Sequence, residues 1–285
     1  MKKIGFVDYY ISEWHANNYP KWIKEACEEM GLDYEVSYVW AMKDISDLDG
    51  VSTAEWCEKF GAVQCESAKE LCEKSDYIVI LSPSFPEHHL ALVEATFPYA
   101  KGKRFYIDKT FSPDYETAKK IYALAKEHDI SFFSTSALRY ANEIDTVRNC
   151  EKVITTGCGS KFDEYIIHQI EMVVKTMGTD VASARTAKEG EEIVSYIEYK
   201  DGRKAETHFA SSHPFSVTYT KDGKETSEKA ASPYFKNLIS KIIEFFEKGE
   251  CDFDEKETLA VMALREAIIK SNEANGETFN CPENL

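Results

Sequence analysis

Residues 77–89 read Tyr-Ile-Val-Ile-Leu-Ser-Pro-Ser-Phe-Pro-Glu-His-His. Five apolar residues without alternation, closed by a proline-rich turn, predict a strand over 77–81 that is covered on both faces. The same grammar continues outward. Upstream, 3–7 (KIGFV) opens as a strand, 19–30 as a helix ended by Gly31, 34–40 (YEVSYVW) as a strand, and 53–60 and 67–74 as short helices. Downstream, 88–97 reads as a helix, 104–107 (RFYI) as a strand, 114–127 as an amphipathic helix and 130–134 (ISFFS) as a strand. Strands alternating with helices imply a doubly wound parallel sheet. Right-handed crossovers then bring the carboxyl ends of the strands to one edge, where ligands bind.

Beyond residue 150 the pattern changes. A helix over 165–177 precedes strands at 181–187, 192–199, 205–210 and 215–220, and helices over 234–248 and 256–275 close the chain. Asp201-Gly202 and Asp222-Gly223 predict tight hairpins, because type I′ turns need positive φ at both central residues. The expected fold class is α/β: an N-terminal Rossmann-type doubly wound parallel sheet over 1–140, then an α+β domain over 141–285 on a mainly antiparallel open sheet. The exposed face of that sheet suggests a homo-oligomer.

The bulk properties narrow the function. The 285 residues carry a formal net charge of −16 with 43% hydrophobic residues. That balance is globular, and a field of that sign repels phosphate backbones, so nucleic acid is not an expected partner. No long apolar run predicts a membrane span or a signal peptide. Eight cysteines at 27, 57, 65, 72, 150, 158, 251 and 281 form no C-x-x-C pair. They read as reduced thiols of a cytoplasmic protein, and no metal is expected.

Four stretches could carry chemistry. The turn after the first strand, 8–15 (DYYISEWH), lacks the G-x-G-x-x-G that lets backbone approach a pyrophosphate. Asp8, Ser12, Trp14 and His15 are its candidates for cofactor contact, with Ser12 as a plain helix cap the alternative. After the strand at 77–81, Ser82, Pro83 and His88 face the expected crevice, unless the turn merely caps a helix. Asp108-Lys109-Thr110 follows the strand at 104–107, with Asp108 a further candidate for cofactor contact. A lysine there can point into a cleft where desolvation fits it for proton work. Glu164, His168 and Glu171 recur at helical spacing on one face, where a carboxylate can orient a proton-shuttling histidine.

Taken in order, these pieces resemble the glucose–fructose oxidoreductase, inositol dehydrogenase and MocA family (Gfo/Idh/MocA) over nearly the whole chain. The family's E-K-P tripeptide is matched by Asp108-Lys109-Thr110, and its arginine-bearing turn by Ser136-Ala137-Leu138-Arg139-Tyr140. Its Thr-Pro turn is matched by Ser82-Pro83 with His88 or His89. Its D-x-x-x-H helix is similar to Glu164-x-x-x-His168, running on to Gly178, and its C-terminal helix to the stretch from Ala267 to Ser271. The resemblance implies NAD or NADP as cofactor, with a sugar, polyol or related hydroxy compound as substrate. Hydride would pass between nicotinamide and a substrate carbon while Lys109 or His168, oriented by Glu164, moves the hydroxyl proton. Arg139, Tyr140 and Glu171 would contact substrate. Lys109 and His168 are expected to meet in one cleft at the domain boundary.

The first glycine-rich loop is missing, Thr110 replaces the proline, and Glu164 replaces an aspartate. After the second strand, Lys43 would suit a 2′-phosphate and Asp44 a free ribose hydroxyl, which leaves NAD against NADP open. Two rival functions share the fold. One is a non-catalytic nucleotide- or sugar-binding protein, and the other is a lyase or epimerase that recycles a tightly held NAD.

Overall fold

The computed structural model describes residues 1–283. The chain forms two compact units. The first comprises Met1–Ser134 and Leu238–Asp252, and the second comprises Thr135–Asn237 and the chain from Phe253 onward. The division at Ser134 falls before the expected 140. The return of Leu238–Asp252 to the first unit is something a contiguous split does not allow.

In the first unit the elements run β1 (Lys2–Asp8), α1 (Trp14–Met30), β2 (Tyr34–Ala41), α2 (Thr53–Phe60), β3 (Val63–Gln64), α3 (Ala68–Lys74), β4 (Tyr77–Ile80), α4 (His89–Thr96), β5 (Arg104–Ile107), α5 (Tyr115–Glu127) and β6 (Ser131–Phe133). All six strands are parallel, in the order β3-β2-β1-β4-β5-β6. The strand order reverses between β1 and β4, the switch point at which open α/β sheets bind ligands.

α1 starts five residues earlier than its apolar spacing predicts and carries Pro20 inside it. A proline there removes one hydrogen bond of the helix, which hides the first turn from a sequence reading. The one glycine near the first turn, Gly5, lies inside β1. A Cβ there would come within 2.7 Å of Leu71 Cδ2, so this glycine lets α3 close on the strand and does not serve a phosphate loop.

The second unit holds β7 (Lys152–Gly157), α6 (Phe162–Met177), β8 (Val181–Glu189), β9 (Glu192–Tyr199), β10 (Lys204–Phe209), β11 (Ser216–Lys221), β12 (Lys224–Lys229), α7 (Tyr234–Lys248), of which only the first turn belongs here, α8 (Glu255–Glu273) and β13 (Phe279–Asn280). Its sheet has the order β12-β11-β7-β10-β9-β8-β13, antiparallel except for the β7–β10 pair. α6 packs on β7 and β10, and α8 on β8 and α6.

Both expected hairpins form, with one difference in turn chemistry. Asp222 and Gly223 have φ of 52° and 70°, as a type I′ turn needs. At the other hairpin only Gly202, φ 88°, is left-handed. There Asp201 keeps ordinary backbone and accepts the Arg203 N–H at 3.0 Å with its carboxylate, an Asx-type turn.

The rest of α7 and the residues after it, Leu238–Asp252 together, close the amino-terminal edge of the parallel sheet. The first residues of four strands meet it. Lys2 Nζ lies 2.7 Å from Glu247 Oε1, Tyr34 donates to the same carboxylate, Tyr77 stacks on Phe246 at 4.7 Å, and Arg104 donates to the Phe246 carbonyl. No helix among the described residues is long and apolar enough to cross a membrane.

Candidate functional site

In the first unit the turns after β1, β4 and β5 converge at the carboxyl edge of the parallel sheet. Asp8 ends β1 with 1% exposure. Its Oδ1 accepts the Tyr9 N–H at 2.7 Å, and its Oδ2 has no hydrogen-bond partner among the described residues. Burial pushes its pKa well up, the charges of Glu13 and Asp108 add to that, and the amides of Tyr9 and Ser82 pull the other way.

Asp108, also 1% exposed, is satisfied by donors. Tyr106 Oη reaches Oδ1 at 3.0 Å, Lys109 N reaches Oδ1 at 2.8 Å, and Tyr19 Oη reaches Oδ2 at 3.3 Å. His15 bridges the acids, with Nδ1 3.3 Å from Glu13 Oε2 and Nε2 3.8 Å from Asp108 Oδ2. Three carboxylates and one imidazole are thus held together out of water, yet no group of three such side chains among the described residues could hold a metal ion.

Lys109 is 8% exposed, and its Nζ lies 3.4 Å from the Pro83 carbonyl, so the loops after β4 and β5 are tied together. The Lys109–Thr110 peptide bond is cis. Ser82 sits in the left-handed region, φ 69°, buried at the end of β4. A serine held there is strained by roughly 1–3 kcal/mol, and such strain gathers at functional turns.

His89, the alternative to His88, is fully buried. Its Nδ1 meets the Phe111 carbonyl at 3.0 Å and its Nε2 meets that of Leu81, and burial holds its pKa below the ordinary value. It is a brace between two loops. His88 stacks on Tyr9 at 3.8 Å.

Ser12, expected as a cofactor contact or a helix cap, does not cap α1. Ser12 Oγ donates to Asp49 Oδ2 at 2.8 Å, and its carbonyl accepts Ser46 Oγ at 2.8 Å, so it pins a neighbouring loop. The cap is Glu13, whose carboxylate accepts the N–H groups of His15, at 2.8 Å, and of Ala16. Glutamate is an uncommon cap, so the sequence does not mark this helix start. Trp14 is half exposed and packs edge-on against Trp22 at 5.7 Å.

In the second unit His168 and Glu164 lie on α6 and are both partly exposed. His168 Nδ1 is 2.7 Å from Ser136 Oγ, and Phe215 meets the ring edge-on at 5.6 Å. Glu171 lies one turn further and is buried. Its Oε1 accepts Ser136 N at 3.3 Å and its Oε2 pairs with Arg139 Nη1 at 3.2 Å. Arg139 is 2% exposed, also pairs with Glu257, and lies under Phe253 at 3.8 Å. Tyr140 is 3% exposed, and its carbonyl accepts Asn237 Nδ2 at 2.8 Å. Arg139, Tyr140 and Glu171, which the resemblance offers as substrate contacts, are thus buried and held by partners within the second unit. A buried arginine with two carboxylates is committed to internal pairing.

No family model and no curated protein sequence matches the chain. Solved structures do. Myo-inositol dehydrogenase from Lactobacillus casei, solved with NAD(H) and myo-inositol, superposes with a TM-score of 0.78 at 12% identity, covering 99% of this chain and 97% of that one. This is the inositol dehydrogenase fold. UDP-N-acetylglucosamine 3-dehydrogenase from Acidithiobacillus ferrooxidans gives 0.76 at 12% identity, over 96% and 98% of the two chains. Scyllo-inositol dehydrogenase from Lactobacillus casei, with NAD(H) and scyllo-inositol, gives 0.75 at 11%, over 98% of each. Both units are therefore shared with two-domain dehydrogenases, at identities that speak for the fold.

The residues at the first turn do not fit the usual grip on a dinucleotide. That grip offers the open N–H groups of the first helix to a diphosphate, and here Glu13 holds two of them. Tyr9 and Tyr10 stand where small residues would let a phosphate approach. Tyr10 is 2% exposed and packs on Phe85 at 5.6 Å, so the loops after β1 and β4 meet through their own aromatic rings. The carbonyls of Asp8 and Tyr9 are taken by the amides of Met42 and Lys43. Lys43 pairs with Asp47, and Asp44 Oδ1 accepts Gln64 Nε2 at 3.3 Å, so neither decides between NAD and NADP.

Proposed function

We propose that this chain is an NAD(P)-dependent oxidoreductase acting on a CH–OH group of a sugar, polyol or related hydroxy compound. Two things support the reading. The fold is shared end to end with dehydrogenases of inositols and of a nucleotide sugar. The observation that carries it is Lys109, a buried ammonium just past the carboxyl end of β5, whose Nζ lies 3.4 Å from the Pro83 carbonyl of the loop after β4. An ammonium so placed donates to a substrate hydroxyl and exchanges a proton with it. His168, with Ser136 on Nδ1, is the second proton-handling group, and Glu164 stands one helical turn before it. The cofactor would supply the hydride chemistry. Asp108 and its three donors fix the loop from which Lys109 projects.

The test is direct. The purified chain is denatured and its small molecules identified by mass spectrometry, then NAD and NADP turnover is followed with inositols, aldoses and sugar acids. Turnover dependent on Lys109 supports the proposal. Absence of turnover with every hydroxy compound, together with absence of any dinucleotide, would sink it. A second reading, a ligand-binding protein without hydride transfer, is favoured by one observation, the carboxylate of Glu13 on the amino end of α1.

A further inference from the structure

We propose that Glu13 is an internal stand-in for a diphosphate, so that this chain takes a dinucleotide only when the Glu13 carboxylate leaves the amino end of α1. The inference rests on the proposed function and names a residue that sets its cofactor affinity.

The amino end of a helix concentrates unpaired N–H groups and a positive partial charge. Glu13 supplies the anion from within. One oxygen takes His15 N at 2.8 Å and the other takes Ala16 N. The same carboxylate lies 3.3 Å from His15 Nδ1, so it is pinned from two sides and is 8% exposed. A diphosphate would compete for the same two amides. It would also meet Asp8, whose Oδ2 is buried without a hydrogen-bond partner among the described residues, and Asp108 beyond His15. The groups around Glu13 are thus Asp8, His15, Tyr19 and Asp108, and burial raises the pKa of both the Asp8 carboxyl and the Tyr19 hydroxyl, as expected where further negative charge is unwelcome. Tyr10 adds a second unpartnered buried atom, its Oη, in the same turn. A helix cap alone would need neither the buried aspartates nor the aromatic filling.

The experiment compares the full-length wild type with Glu13→Gly and Glu13→Gln. Glycine is well tolerated at a helix cap, and thermal unfolding checks that each variant is folded. Binding of NADH and, separately, of inorganic pyrophosphate is measured by calorimetry. Glu13→Gly is expected to bind both at least about tenfold more tightly than wild type, the change expected when two charge-assisted contacts pass to the ligand. Glu13→Gln, which keeps an acceptor and loses the charge, is expected to fall between. NADH and pyrophosphate affinities unchanged in Glu13→Gly would overturn the inference. If wild type nevertheless binds NADH well, that result leaves the proposed function standing. Pyrophosphate binding gained in Glu13→Gly without any NADH binding would uphold the role of Glu13 and remove the dinucleotide from the proposed function.

Discussion

His168 Nδ1 and Ser136 Oγ lie 2.7 Å apart, and the same Ser136 gives its backbone N–H to Glu171 at 3.3 Å. One serine thus couples a partly exposed imidazole to the buried Arg139–Glu171 pair. A hydroxyl on Nδ1 sets which ring nitrogen carries the proton. His168→Ala is expected to lower kcat by about 10²- to 10⁴-fold, the usual range for a positioned acid–base group. Ser136→Ala should cost less than about tenfold, the size of one net hydrogen bond, and should shift the pH profile of kcat. Steady-state kinetics on both variants, with equal circular dichroism spectra, decide the matter. Full activity in His168→Ala removes the histidine from the reaction.

Lys109 gives the second prediction. Lys109→Ala should lower kcat by about 10²- to 10⁴-fold with the fold intact. Lys109→Arg should not restore it, because a guanidinium does not release its proton. Rescue of turnover by free alkylamines in Lys109→Ala would strengthen the assignment, and wild-type turnover in the alanine variant would refute it.

The sequence made the parallel sheet readable because its strands are short apolar runs separated by amphipathic helices. It also placed Lys109 and His168 on the right kinds of element. What it concealed has physical reasons. Pro20 masks the first turn of α1, and Glu13 is not a residue that announces a cap. β7 carries no local signal, because Lys152–Gly157 pairs with β10 and β11, both far along the chain. The pairing of Arg139 with Glu171 and Glu257 is not legible because these partners are 32 and 118 residues away. Buried ion pairs of that separation leave no trace in spacing.

Asp8 provides a stability prediction. Its raised pKa means the folded state holds a proton that the unfolded state releases. Between the ordinary value of 3.8 and the raised one, stability falls as pH rises. Asp8→Asn removes that loss. At neutral pH the variant should melt higher, by about 2–4 °C for each kcal/mol regained, and the gain should vanish below pH 3.8. A variant that melts lower at neutral pH would show that the carboxylate is needed charged.

His89 has the opposite sign. Burial depresses its pKa from the ordinary 6.5, so the unfolded chain binds a proton that the folded chain refuses. Its contribution is complete above pH 6.5 and is lost as pH falls below it. Denaturant unfolding between pH 7.5 and pH 5 should show this slope in wild type, and His89→Gln should flatten it. An unchanged slope in the variant would assign the effect to another group.

The return of Leu238–Asp252 to the first unit bears on how the protein is made. Lys2, Tyr34, Tyr77 and Arg104 all wait for Glu247 and Phe246. As the chain leaves the ribosome, the parallel sheet is laid down first, but its amino-terminal edge stays uncovered until the whole of the second sheet through β12 has been synthesised. The first unit is therefore covalently complete only once Leu238–Asp252 has been made, although most of its residues precede the second unit in the chain.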